Sequence, residues 1–147
     1  MDAATHSAMT IVNELVSAWN VHDATAFAAP FHDDADFTNV FGMKATGREA
    51  IDAFHAPVFV TMFRDSTLEA VQVDARELRP DVIAVDLRWA MHGAIDPLGN
   101  PWPTRRGLMN LVCTNQSGTW GIAVMHNLDL PDEGMAEAQA ALQAEAG

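Results

Sequence analysis

The order of hydrophobic patterns along the chain predicts a single α+β domain. Apolar residues recur at helical spacing in the first part of the sequence, whereas they alternate in the second part, as expected of strands. Helices followed by a run of strands are typical of α+β folds, and 147 residues are enough for one packed domain. We expect this domain over residues 1–130, followed by an alanine-rich tail over 131–147 in which Met135–Ala146 either forms a helix or frays.

The N-terminal segment predicts two helices. Apolar residues between Ile11 and Trp19 lie on one face at helical spacing. Asp23 is a favourable N-cap for a second helix over Ala24–Phe31, because its carboxylate can accept a hydrogen bond from a free backbone N–H. Pro30 is expected to end or distort the last turn of that helix.

A turn, two short strands and a third helix are predicted next. His32–Asp34 is typical of a turn, Asp36–Phe41 of a strand, and Met43–Thr46 of a short return strand. Apolar residues from Glu49 to about Phe63 form a broad helical stripe. Pro57 lies within this stripe and predicts a kink.

Four long strands are predicted in the second half of the chain. The alternating segments are Leu68–Leu78, Val82–His92, Arg105–Asn115 and Thr119–Asn127. A tight turn is predicted between the first and second segments, and another between the third and fourth. The intervening loop, Gly93–Thr104, contains three prolines and two glycines and is long for a hairpin. We expect it to be either a lid over a pocket or a contact in a dimer.

Composition excludes several classes of function. The net charge of −12 leaves no basic surface for phosphates, so nucleic acid and anionic membranes are not expected partners. The first ten residues lack the features of a signal peptide, and no apolar run is long enough to span a bilayer, which predicts a cytoplasmic protein. Cys113 is the only cysteine, lies within a strand, and is expected to be buried and unreactive.

The predicted sheet carries apolar residues on both faces. In Arg105–Asn115, Met109 and Leu111 share one parity, while Leu108 and Val112 share the other. A second apolar face requires a cover, and the chain offers no further helices to supply it. A second copy of the same sheet would do so, which predicts a homodimer formed through the outer sheet face.

Two stretches of the sequence resemble a known family. The first runs from Trp19 through Phe37 and continues with Gly42 and Gly47–Ile51, and the second is Gly118–Asn127. In order and spacing they resemble the SnoaL-like proteins of the nuclear-transport-factor-2-like superfamily, within it the SgcJ/EcaC branch. The resemblance implies a cone-shaped barrel of three N-terminal helices packed on a strongly curved antiparallel sheet. It also implies a homodimer and a small-molecule pocket between the sheet and the helices.

The resemblance leaves the activity open, because the superfamily includes cyclases, isomerases, dehydratases and non-catalytic binding modules. Members of the SgcJ/EcaC branch are commonly labelled oxidoreductases, but no GxGxxG motif follows a strand here. The general-base aspartate of ketosteroid isomerases corresponds to Asn39, and the chain contains no tyrosine to match their oxyanion donor. An amide is not a general base, so we expect Asn39 to orient a carbonyl or a water instead.

His126 is the predicted acid/base residue. It shares strand parity with Trp120, Ile122 and Val124, and this face is expected to point into the cone. The pKa range of an imidazole suits proton transfer near neutral pH. The alternative is a histidine hydrogen-bonded within the core.

Further residues are expected to bind the substrate. His55 lies on the apolar stripe of the third helix, where the alternative is simple packing. Asn110 is a polar residue within an apolar strand, and it either hydrogen-bonds within the fold or binds a ligand. Trp102, in the long loop, is a candidate to close the pocket. The expected apolar walls are Phe37, Phe41, Phe59, Phe63, Trp89 and Met91.

No metal or organic cofactor is expected. Asp23, Asp33 and Asp34 lie near His22 and His32, but their spacing matches no recognised ligand pattern, and capping or turn roles explain the acids. The sequence thus predicts a protein that acts on a hydrophobic, carbonyl-type, polyketide-like metabolite by cofactor-independent acid/base chemistry. The alternative is a non-catalytic, ligand-binding homodimer.

Overall fold

A computed structural model of the chain describes residues 2–131 and 133–146. The described residues form four helices and six strands, and the strands belong to one sheet. In chain order they are α1 (Ala3–Asn20), α2 (Ala24–Ala28), β1 (Phe31–Thr38), β2 (Lys44–Thr46), α3 (Arg48–Phe59), β3 (Thr67–Arg79), β4 (Val82–His92), β5 (Arg105–Gln116), β6 (Thr119–Asp129) and α4 (Glu133–Ala146). The α+β fold class is confirmed, with two helices before β1 and the third between β2 and β3.

The second helix is shorter than predicted. Asp23 caps it as expected, since its Oδ1 accepts a hydrogen bond from the backbone N–H of Ala26 at 3.0 Å. The helix ends at Ala28, and Phe31 already belongs to β1, so the prediction of a helix over Ala24–Phe31 was wrong at its C-terminal end. Pro30 explains the early end, because proline has no N–H to continue the helical hydrogen bonds.

The first strand begins earlier and ends earlier than predicted. His32–Asp34 was expected to be a turn, but it lies within β1, where the pairing with β6 is irregular between Phe31 and Asp36. The strand ends at Thr38 because Asn39 starts a tight turn to β2. In this turn Gly42 has a φ of 77°, which glycine adopts without steric cost.

The six strands form a single curved sheet in the order β2-β1-β6-β5-β4-β3. All neighbouring pairs are antiparallel except β1 and β6, which are parallel, so the prediction of an antiparallel sheet was wrong for this pair. Relative direction is evident from a sequence only where a tight turn joins two strands. β1 and β6 are separated by most of the chain, which is why their parallel pairing was not foreseen.

The helices cover one face of the sheet, and the core lies between them. On this inner face of β4, the side chains from Ile83 to Met91 are at most 4% exposed. α1 packs against β3, β4 and β6, and α3 packs against β1 and β2. A sheet covered on one face in this way leaves the strand ends nearest the loops free to border a cavity.

One extra residue in β6 decides which side chains point inward. Val124 pairs with Val112, yet Ile122 pairs with Cys113, so Ala123 has no partner of its own in β5. Such a bulge exchanges the two faces of the strand from that point on.

The bulge overturns the predicted orientation of His126. Ile122 and Met125, three residues apart, are both fully buried, which is incompatible with simple alternation. His126 instead lies on the outer face, opposite Asn110 of β5, and is exposed. The expectation that its imidazole points into the cone was wrong, because the prediction assumed uninterrupted alternation from Trp120 onward.

The alanine-rich tail forms helix α4, none of whose described residues is buried. Arg106 of β5 forms an ion pair with Glu133 at its start. Among the residues that the structure describes, no helix has the length and apolar character needed to cross a bilayer.

Candidate functional site

A cavity of about 470 Å³ opens between the sheet, the helices and three connecting segments. Volumes of this size are typical of sites for small organic ligands. The cavity is bounded by side chains of α1, α2, α3, β1, β4, β5 and β6, and by the β1–β2, α3–β3 and β4–β5 connections. Its lining residues are Trp19, Phe27, Phe37, Asn39, Val40, Phe41, Met43, Ala53, Phe54, His55, Pro57, Val58, Met62, Phe63, Trp89, Met91, Pro97, Trp102, Arg105, Met109 and Asn127.

Most of the predicted apolar walls border this cavity. Phe37, Phe41, Phe63, Trp89 and Met91 all line it. The remaining predicted wall residue lies one layer behind: the side chain of Phe59 is buried, and its ring centroid lies 5.6 Å from that of His55. Phe59 therefore supports the wall rather than forming it.

His55 is held in the wall by aromatic side chains. Its ring centroid lies 4.4 Å from that of Phe27, 4.8 Å from that of Phe37 and 5.3 Å from that of Phe54. Nδ1 lies 2.7 Å from the carbonyl oxygen of Ile51 in the preceding turn. Because a carbonyl only accepts, Nδ1 carries the proton, and Nε2 of the neutral ring is an acceptor.

Nε2 of His55 is the acceptor that the cavity offers to a ligand. It has no hydrogen-bond partner among the described residues. Every fully buried side-chain nitrogen or oxygen of the described residues does have a partner, so Nε2 is not fully buried. Nε2 is therefore open to the cavity that the ring lines. Burial lowers the pKa of His55 from 6.5 to about 4, outweighing the opposite effects of the hydrogen bond to Ile51 and of the Asp52 carboxylate. The imidazole is therefore neutral at physiological pH.

Asn39 lines the cavity at the β1–β2 turn, but its oxygen is already in use. Oδ1 accepts hydrogen bonds from the backbone N–H groups of Phe41 at 3.0 Å and Met43 at 2.9 Å. This arrangement is an Asx-type turn, which fixes the backbone where β1 ends. Only the NH2 group of Asn39 remains for other partners.

Arg105, the first residue of β5, borders the cavity. Its side chain is only 7% exposed, and its Nε and a terminal nitrogen both donate to Oδ1 of Asp129, at 3.2 and 2.8 Å. The guanidinium carbon lies 3.7 Å from the ring centroid of Trp102 and 5.3 Å from that of Trp89. The charge is thus paired with a carboxylate and covered by aromatic rings.

Asn127 is the polar residue that replaces His126 on the inner face of β6. Its Oδ1 accepts a hydrogen bond from the indole N–H of Trp89 at 2.8 Å. To reach it, the indole crosses Gly107 on the intervening strand β5, where a Cβ atom would lie 1.9 Å from Cζ2 of Trp89. Gly107 is therefore required for this arrangement, since any side chain there would displace the indole.

Asn110 does not reach the cavity. It lies on the outer face of β5, is exposed, and donates a hydrogen bond to Oδ1 of Asp86 at 2.8 Å. The prediction that Asn110 lies in the pocket was wrong. Its neighbours on the same face of β5, Leu108 and Val112, are apolar although this face points outward. Apolar neighbours therefore did not identify the inner face of this strand.

The long loop contributes Pro97 and Trp102 to the cavity wall. Trp102 stacks on Phe41 of the β1–β2 turn, with ring centroids 6.1 Å apart and an angle of 25° between the planes. Backbone hydrogen bonds from Ile95 to Met62 and from Trp102 to Ala94 hold the loop in place. Phe41 is 55% exposed and forms part of the rim.

The acidic and histidine residues near the second helix have structural partners. His22 and His32 donate to the carbonyl oxygens of Ser66 and Thr114, each at 3.0 Å. Asp33 forms an ion pair with Arg48 at 2.8 Å. The described part of the chain contains no group of three His, Cys, Asp or Glu residues placed to hold a metal ion.

The family is established by a sequence match. Residues 12–114 match the model of the SnoaL-like domain, which is more than half of the chain. The chain belongs to the SnoaL-like family. The match includes α3, β4 and most of β5, from which much of the cavity wall is built.

Solved structures share this SnoaL-like fold. An uncharacterised protein with a cystatin-like fold from Caulobacter vibrioides has a TM-score of 0.88 and 24% identity, over 97% of this chain and 99% of that one. A domain of unknown function with a cystatin-like fold from Nostoc punctiforme has a TM-score of 0.78 and 26% identity, over 98% and 88%. A type 2 hexachlorocyclohexane dehydrochlorinase, LinA, has a TM-score of 0.78 and 12% identity, over 88% and 86%. No curated protein matches the sequence.

Proposed function

We propose that this SnoaL-like protein binds a hydrophobic small molecule in the cavity between α3 and the inner face of the sheet. The observation that carries the proposal is a hollow of about 470 Å³ that the chain's own side chains leave unfilled, lined largely by aromatic and aliphatic residues. A molecule that fills it removes apolar surface from water on both sides, at about 25 cal/mol per Å². A polyketide-like carbonyl compound fits this description.

A cavity-filling substitution tests the binding. Ala53 lines the cavity from α3 and is itself exposed, so Ala53→Trp places an indole at the cavity wall without overpacking the core. Diphenylmethane, which has no polar group, should bind the wild type in an NMR titration and bind this variant at least about tenfold more weakly. The proposal would be refuted if the wild type bound neither diphenylmethane nor its analogues with a carbonyl or a hydroxyl group, benzophenone and benzhydrol.

Proton abstraction within the cavity is the second candidate, and His55 favours it. Nε2 of its neutral imidazole is free to take a proton from a bound carbon acid without a cofactor, but the lowered pKa makes it a weaker base than an ordinary histidine, so the rate enhancement should be modest. One protein of similar fold is named a dehydrochlorinase, and dehydrochlorination removes a proton together with chloride from the substrate. This parallel in fold supports catalysis only as a proposal for the present chain.

Hydrogen exchange in deoxybenzoin separates catalysis from binding. Its methylene protons lie beside a carbonyl and exchange with D2O when a base removes them. A catalyst should accelerate this exchange above the buffer rate, and His55→Gln should abolish the acceleration while binding persists. Binding without acceleration by the wild type would identify a binding module.

A homodimer through the outer sheet face is the proposed assembly. Leu108 and Val112 are half-buried on that face and Leu128 is 44% exposed, which leaves apolar surface for a second copy to cover. Light scattering should give twice the chain mass for the wild type and the monomer mass for Leu108→Glu. A monomeric wild type would contradict this assembly.

A further inference from the structure

The hydrogen bond between Trp89 and Asn127 fixes which way the Asn127 amide faces. An indole N–H can only donate, so the group 2.8 Å away must be the amide oxygen. The NH2 group is therefore the end of the amide that remains available. It has no partner among the described residues, and it is not fully buried, since no fully buried side-chain nitrogen there is left unpaired.

The cavity thus contains two polar groups of opposite kind with defined roles. Asn127 presents a donor, and Nε2 of His55 presents an acceptor. The NH2 group of Asn39 at the rim adds a second donor. Among the other described lining residues, the polar side-chain groups are the ion-paired Arg105 and three indole N–H groups, of which those of Trp19 and Trp89 are hydrogen-bonded.

Among the described residues that line the cavity, none offers a free positive charge to an anionic ligand. The Arg105 guanidinium donates twice to Asp129, and a third nitrogen lies 3.7 Å from the sulfur of Met91. No acidic side chain is among the described lining residues. A carboxylate entering this site would lose its hydration without gaining a counter-ion, which is costly in an apolar environment.

We propose that Asn127 is a ligand-binding residue that recognises a carbonyl oxygen, and that the cavity selects neutral carbonyl and hydroxyl compounds over carboxylates. Trp89 is the positioning residue, because it holds the amide oxygen and so turns the NH2 group to the ligand. A hydroxyl on the ligand donates to Nε2 of His55. This inference rests on the proposed binding function and assigns the polar contacts within it.

Four compounds of one shape test the assignment. Diphenylmethane has no polar group, benzophenone adds a carbonyl, benzhydrol has a hydroxyl at the same carbon, and diphenylacetate carries an anion. In the wild type, benzophenone and benzhydrol should each bind several-fold more tightly than diphenylmethane, as expected for one net hydrogen bond. Diphenylacetate should bind at least about tenfold more weakly than benzophenone.

Asn127→Asp is the decisive variant. A carboxylate still accepts the indole N–H of Trp89, so the support of the ring is kept, but an acceptor now replaces the donor that faces the ligand. Benzophenone should lose about tenfold in affinity, whereas diphenylmethane should change by less than about twofold. Should this variant fail to fold, Asn127→Leu removes the same donor with similar volume. His126→Gln, at an exposed position on the outer face, serves as the matched control and should leave the binding of all four compounds unchanged.

The outcomes separate this inference from the proposed function. If all three neutral compounds bind the wild type equally well, the cavity binds ligands and the role of Asn127 is refuted. If diphenylacetate binds as tightly as benzophenone, Arg105 is available to anions and the selection for neutral ligands is refuted. If none of the compounds binds, both proposals fall.

Discussion

Acidification from about pH 7 to about pH 4 should destabilise the protein through His55. Burial lowers the pKa of this imidazole from 6.5 to about 4. Between these two values the unfolded chain binds a proton that the folded chain does not, so the free energy of unfolding falls as the pH falls. Each pKa unit corresponds to about 1.4 kcal/mol, which makes the full loss from this residue about 3 kcal/mol. The stabilisation is complete above about pH 6.5 and has been lost at about pH 4.

Urea unfolding at several pH values measures this contribution by comparison with His55→Gln, which cannot titrate. Other groups also titrate in this range, so the informative quantity is the difference between wild type and variant. Between about pH 7 and about pH 4, the free energy of unfolding of the wild type should fall by about 3 kcal/mol more than that of His55→Gln. His126→Gln, at an exposed position on the outer face, is the matched control and should run parallel to the wild type. Parallel curves for His55→Gln as well would refute the buried, neutral imidazole.

Three further perturbations follow from the packing. Gly107→Ala should lower the free energy of unfolding by about 3 kcal/mol and Tm by roughly 10 °C in a thermal melt, because the new methyl group overlaps the Trp89 indole. An unchanged Tm would show that the indole lies elsewhere. Cys113 should react with a thiol reagent only on unfolding, since burial raises the pKa of its thiol to about 12, and rapid labelling of the native protein would contradict this. Removal of the residues after Pro131 should change the free energy of unfolding by less than about 0.5 kcal/mol, since α4 buries no described side chain and its ion pair with Arg106 is exposed; a larger loss would contradict this weak attachment.

The sequence was sufficient to predict the fold class and most of the cavity walls. Alternation of apolar residues set β4 and β5 almost to the residue, because inward side chains of a half-covered sheet must be apolar. The helical stripe of α3 placed His55 on the inward face for the same reason. These features depend on local periodicity, which a single sequence contains.

The polar part of the site was not predictable in this way. A bulge at Ala123 moved His126 to the outer face and brought Asn127 inward, and nothing in the local alternation marks the extra residue. The burial of Arg105 was also not evident, because it depends on Asp129 and on Trp102, which the folded loop brings to it. The glycine at position 107 was a usable signal, since glycine within a strand often marks a close approach by another group.

A crystal structure of the benzophenone complex would locate both the ligand and its polar contact. We expect electron density for benzophenone between α3 and the inner face of β4–β6, with its carbonyl oxygen within hydrogen-bond distance of the Asn127 amide nitrogen. A cavity closed by its own side chains, with benzophenone bound elsewhere or not at all, would contradict it.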